Sequence, residues 1–132
     1  MNKLYIPGDL VYFGGEKAKV WFRNPSADDS IYVRVIENGG ENRIWDASLK
    51  EEISPIPLTP EILEKNGWNK SKINDCAYFY YKDGLFLTYT SKDGKFWFDD
   101  FDYSSSICVY LPYVHSLQHI LFCLGLNSEM DV

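Results

Sequence analysis

A chain of 132 residues is long enough for one domain or two small ones, and 45% apolar and 17% aromatic residues are ample for a core. A net charge of −6 and a pI near 4.8 disfavour unfocused binding to nucleic acid. No window approaches the roughly 18 consecutive apolar residues that a membrane-spanning helix needs.

Ten Tyr and eight Phe favour strands. Pro7-Gly8-Asp9 is a turn signal, and Leu10-Val11-Tyr12-Phe13 a short strand. Gly14-Gly15 closes a tight turn. Residues 17–22 alternate, with Ala18, Val20 and Phe22 on one face and Lys17, Lys19 and Trp21 on the other. Residues 24–29 form a polar loop. The clearest strand runs from Ser30 to Glu37, with Ile31, Val33 and Val35 on one side and Tyr32, Arg34 and Ile36 on the other. Asn38-Gly39-Gly40 turns the chain into a fourth strand at residues 43–45, and residues 47–52 are expected to make one helical turn.

Pro55 and Pro57 push Ser54 and Ile56 toward extended backbone, so residues 53–58 read as an edge strand. Thr59 then offers an N-cap hydroxyl, and Pro60 takes the first helical position, where its missing N–H costs nothing. Glu61 sits near the positive helix end, and Asn66-Gly67 is a left-handed stop. Residues 70–75 read as a polar connector. A strand at residues 76–81, the Asp83-Gly84 hairpin signal, a strand at 85–90, a turn at Lys92-Asp93-Gly94 and a strand at 95–99 make an antiparallel meander. A fourth strand is expected at residues 107–111. The last helix starts at Pro112 and runs to about Leu124. Tyr113, Leu117, Ile120, Leu121 and Leu124 form its apolar face, which is expected to cover the meander, and Gly125 stops it.

These elements predict an α+β, mainly β fold in three parts. Residues 1–58 form an SH3-like β-barrel, residues 59–67 a linking helix, and residues 68–132 an antiparallel sheet plus a C-terminal helix. Gly8-Asp9-Leu10-Val11 followed by Ala18-Lys19-Val20 resembles the start of SH3-like barrels, including the ribosomal KOW type, which implies RNA or protein binding. In this sequence Asp28, Asp29, Glu37 and Glu41 stand where a basic surface would be wanted. PIPLTPEILEKNGW (residues 55–68) and YVHSLQHILFCLGL (residues 113–126) resemble a family of small uncharacterised proteins of Bacteroidota and of their phages or mobile elements. That resemblance implies a bacterial or phage origin and little chemistry.

Four groups of residues are candidate sites. His115 and His119 stand at i and i+4, with Cys123 a turn further on. Two such histidines can share a zinc ion, but HSLQH lacks the glutamate base of the metalloprotease helix and one helix alone is a poor chelate, so no metal ligands are assigned. Asp99, Asp100 and Asp102 follow Phe96-Trp97-Phe98. Alternation leaves only Asp100 and Asp102 on one face, and a solvated strand end is expected rather than a carboxylate pair for glycoside hydrolysis. Lys17, Lys19, Arg23, Arg34 and Arg43 can gather with Trp21, Tyr32 and Trp45, as small barrels do when they hold single strands of nucleic acid. The three cysteines, Cys76, Cys108 and Cys123, form no CxxC pair and follow no signal peptide, as expected of reduced thiols in a cytoplasm. The sequence thus predicts a cytoplasmic, non-catalytic binding or adaptor module that needs no cofactor. It would meet a protein partner through Trp21, Tyr32, Trp45 and Trp97. A nucleic-acid-binding accessory protein is the alternative, and a metal-dependent hydrolase a distant third.

Overall fold

The computed structural model describes residues 5–23, 30–37, 40–48, 52–99 and 108–132. Within them the fold is mainly β, with two antiparallel five-stranded sheets and two short helices. The chain divides into two compact units. One joins the residues up to Ile56 to the segment Tyr113–Met130 and Val132, and the other comprises Pro57–Pro112 and Asp131.

The first sheet contains β1 (Leu10–Phe13), β2 (Glu16–Arg23), β3 (Ser30–Glu37), β4 (Gly40–Ser48) and β5 (Ile53–Pro55), in the order β4-β3-β2-β1-β5. Register sets its two faces. Val11 pairs with Ala18 and Ala18 with Val35, while Val20 pairs with Val33. These side chains, with Tyr5, Ile31, Ala47 and Ile53, form the buried core, and Phe13 packs against it. Phe13 of β1 and Trp45 of β4 meet at 6.2 Å between ring centroids. In a flat sheet their strands would lie about 14 Å apart, so the sheet curls around this core. Among the described residues it stays open, with β4 and β5 as its edges, a curled sheet where an SH3-like barrel was expected. The expected helical turn before β5 falls mostly on residues 49–51, outside the described residues. At the edges of that stretch the Glu52 N–H donates to the Ser48 carbonyl at 3.0 Å.

The second unit opens with α1 (Pro60–Lys65). The Thr59 hydroxyl accepts the Ile62 N–H, Pro60 stands in the first turn, and Leu63 is fully buried. The Trp68 N–H bonds back to Leu63 and the Gly67 N–H to Glu64, which ends the helix at a residue with φ +81°. Then come β6 (Asn69–Asn74), β7 (Ala77–Lys82), β8 (Leu85–Thr90), β9 (Lys95–Asp99) and β10 (Cys108–Tyr110), paired consecutively. Asp83 and Gly84 both adopt positive φ, the type I′ geometry that matches the twist of a hairpin. One face carries Tyr80, Leu87 and Phe96, all buried. The polar connector expected at residues 70–75 is instead strand β6, exposed at every position and held by its pairing with β7.

The last helix, α2 (Val114–Cys123), is corrected in position and in face. It belongs to the first unit, not to the unit that holds the meander, and docks beside β1. Its buried residues are Val114, His115, Leu117, Gln118 and Leu121, whereas Leu124, expected inside, is 51% exposed. The reason is polar chemistry. The Gln118 amide accepts the Leu10 N–H (2.8 Å) and donates to the Gly8 and Ser128 carbonyls (both 3.0 Å), so the polar side chain is satisfied inside.

Candidate binding face on the first sheet

The face of the first sheet away from the core is built in two rows. In the first, Leu10 pairs with Lys19, Lys19 with Arg34, and Arg34 with Ile44. In the second, Phe22 pairs with Tyr32 and Tyr32 with Asp46. Leu10, at the end where α2 docks, is 1% exposed, and Ile44, at the far end, is 43% exposed. Between Val20 and Phe22 the register slips by one, so Trp21 is the extra residue of a β-bulge. The slip leaves Trp21 and Phe22 both facing outward, each 40% exposed, beside a buried Val20. Regular alternation had put Phe22 inward with Val20, and no residue in this stretch signals the bulge.

The rings on this face touch. Phe22 and Tyr32 lie 4.7 Å apart, and Trp21 and Phe22 6.2 Å apart. The Arg34 guanidinium stands 3.7 Å over the Trp21 ring, close enough for a cation–π contact that holds both groups flat. Lys17, Lys19 and Asp46 share the face, and the Lys17 ammonium donates to the Val132 oxygen. The expected gathering of basic and aromatic groups is thus present for Lys17, Lys19, Arg34, Trp21 and Tyr32. The side chains of Arg23 and Arg43 lie outside the described residues.

Trp45 does not join them. Its register partner is Val33, so it points to the core side and stands, 45% exposed, at the edge of the sheet. Trp97 lies in the second unit, 5.2 Å from Tyr110, on a sheet face that also bears Phe79, Tyr81 and Phe86.

A second cluster lies where α2 meets the opening turn. The Asp9 N–H closes the Pro7-Gly8 turn onto the Ile6 carbonyl, and Asp9 Oδ2 accepts the Ile6 N–H at 2.9 Å. His119 Nε2 lies 2.7 Å from the same oxygen. Asp9 is 2% exposed. Burial pushes its carboxyl above the ordinary 3.8, while the Ile6 N–H and the His119 ring pull it back down. Burial, the Asp9 charge and Tyr113 together raise Tyr5. His115 stacks parallel to Tyr113 at 5.5 Å and packs on Tyr5 at 4.9 Å. The two histidines therefore serve the packing of α2, and Cys123 is exposed. Among the described residues no three His, Cys, Asp or Glu side chains converge as metal ligands would. The Asp99 side chain, and Asp100 and Asp102 altogether, lie outside the described residues.

In the second unit, burial and then the Glu64 carboxylate push Tyr80 up to about 12. Among the described residues no helix is long and apolar enough to cross a membrane. Compared with protein families, with curated proteins and with solved structures, the chain matches none.

Proposed function

We propose that this chain is a non-catalytic binding or adaptor module that meets a protein partner through the outer face of its first sheet, with Trp21, Phe22 and Tyr32 as anchors. One observation carries the reading: three touching aromatic rings stand at the surface on a rigid sheet. Large rings on fixed strands lose little entropy on binding, and such residues dominate interface energetics. Five consecutive strands, the last preceded by a turn, support an SH3-like relationship for this unit. Trp45 and Trp97 are exposed or half-buried but stand on other surfaces, and we assign them a lesser role. The resemblance of residues 55–68 and 113–126 to a Bacteroidota and phage family supports a bacterial or phage origin. The free thiols Cys76 and Cys123 suit a cytoplasm.

Affinity capture from a bacterial lysate with the wild-type chain and a Trp21→Ala/Phe22→Ala variant tests this reading. A partner retained by wild type, weakened about tenfold or more by the variant and unaffected by Trp97→Ala, is the expected result. Equal retention by the double variant removes the face from the interaction.

The second reading, single-stranded nucleic acid, draws on Lys19 and Arg34 standing in register beside the same rings. It requires binding that weakens steeply with salt.

A further inference from the structure

The chain reverses where α2 ends. The Gly125 N–H bonds to the Phe122 carbonyl and the Leu126 N–H to the Leu121 carbonyl at 2.9 Å, with Gly125 at φ +72°. The arm that follows, residues 126–132, runs back over the first unit. Its Ser128 carbonyl meets Gln118, ten positions earlier in the chain, and its Val132 oxygen accepts the Lys17 ammonium at the start of β2. Leu126, Ser128, Met130 and Val132 are half-buried while Asn127, Glu129 and Asp131 are exposed, which is the two-residue period of an extended chain. We infer that the trough holding this arm is a groove for an extended peptide. The arm is its resident ligand, and a partner segment with apolar or small side chains at every second position replaces it.

The seat is made by the body of the unit. Gln118 is 3% exposed. Its amide oxygen takes the Leu10 N–H, and its nitrogen donates to the Gly8 carbonyl and to the Ser128 carbonyl, both at 3.0 Å. The bonds to Leu10 and Gly8 hold the side chain in place whether or not the arm is present. They leave one buried N–H aimed at the arm, and a buried donor without an acceptor is costly. The seat therefore demands a backbone carbonyl, which any extended chain supplies. Gln118 and Lys17 both take main-chain oxygens, so neither bond depends on which side chain the arm carries there. Selection falls on the alternate side chains that turn inward. Because the arm is tethered through a short connection, its effective concentration at the groove is on the order of 1 mM. A free peptide must exceed that to displace it. This groove is a second surface, and its test does not involve the aromatic rings of the first sheet.

The test follows the isotope-labelled full chain by NMR while an unlabelled peptide of residues 126–132, LNSEMDV, is added to about tenfold above that effective concentration. The arm amides are expected to move to the positions of free chain and lose their protection, while the α2 backbone amides stay. The Gln118 side-chain amide is expected to remain bonded, since the incoming carbonyl replaces that of Ser128. A second peptide, with Asp at the positions of Met130 and Val132, is expected to displace the arm about tenfold or more weakly. The full-length variant Met130→Asp/Val132→Asp, whose own arm is weakened, is expected to bind the first peptide about tenfold or more tightly than wild type, and adding Lys17→Gln to weaken it again. Arm signals of the wild-type chain that do not move overturn the groove, and this holds even if a variant fails to fold. Equal displacement by the two peptides overturns the selection by alternate side chains. Dimers of the wild-type chain in light scattering, abolished by the two Asp substitutions, would assign the groove to the arm of a second copy and overturn the partner segment.

Discussion

Asp9 carries an unusual load for one residue. It closes the opening turn, accepts the Ile6 N–H and holds His119, all at 2% exposure. Its bonds favour the carboxylate and its burial opposes it, and burial wins, since the carboxyl is raised above 3.8. The sign of the stability effect follows. A folded-state pKa above the unfolded one means that the native state holds the proton more tightly. The stability from this group is then fully present below the unfolded value and lost as pH rises through the folded one. Ionising the buried Asp9 as pH rises weighs on the fold. Asp9→Asn keeps the acceptor for Ile6 and removes the charge. Its stability relative to wild type is therefore expected to be highest at pH 7 and to decline as the pH is lowered toward 4, measured by urea denaturation of both proteins across that range. A relative stability of the variant that instead rises on acidification would mean that the bond to His119, not burial, dominates. The effect was not legible in the sequence, where Asp9 reads as the last residue of a Pro-Gly-Asp turn and His119 as the i+4 neighbour of His115.

At the scale of elements, legibility tracked the strength of local chemistry. Helix α1 was readable because its ends are coded by backbone requirements: the Thr59 hydroxyl accepts the capping bond, Pro60 has no N–H to lose, and Gly67 takes φ +81°. These contributions can be ranked. The Thr59 hydroxyl accepts Ile62 N–H at 3.3 Å, a long bond, so Thr59→Ala is expected to cost at the low end of the capping range, about 0.5 kcal/mol. A Cβ on Gly67 meets only the tip of Lys82 at 4.0 Å, so Gly67→Ala has room and its cost is purely backbone, about 1–2 kcal/mol. Chemical denaturation of the two variants checks the order, and a larger loss from Thr59→Ala would contradict it. Strand β6 was unreadable for the opposite reason. Asn69–Asn74 is NKSKIN, with little intrinsic preference for a strand, and it is extended because β7 supplies its hydrogen bonds. Its two lysines suit an exposed edge, where charge discourages pairing with other chains. The face of α2 was misread because periodicity assumes that polar residues lie outside, whereas Gln118 and His115 are inside with partners from the far end of the chain.

At the scale of the molecule, the break near residue 58 was visible from Pro55, Pro57 and the helix start, yet the pairing of halves was not, because it depends on contacts more than a hundred residues apart. Unit two is a continuous stretch, Pro57–Pro112, lying in sequence between the two segments of unit one. Each unit has its own chain of satisfied bonds at that point: the Val114 N–H bonds to Ile56 in the first, and the Leu58 N–H to Pro112 in the second. A chain ending at Pro112 therefore takes α2 from the first unit. The Leu10 N–H and the Asp9 carboxylate lose Gln118 and His119, and the buried side chains of Val114, Leu117 and Leu121 vanish. Truncating even one such buried aliphatic side chain typically costs about 2–5 kcal/mol, and whole domains are stable by only about 5–15 kcal/mol. The first unit should unfold. The second loses the reciprocal bonds between Asn66 and the Asp131 backbone and should keep its hairpins and its stacked Tyr89–Phe96 pair at 4.5 Å. Amide exchange read by mass spectrometry separates the outcomes: protection lost in β1 to β5 and kept in β7 to β9 is expected, and loss across both would show that the two sheets fold as one cooperative body.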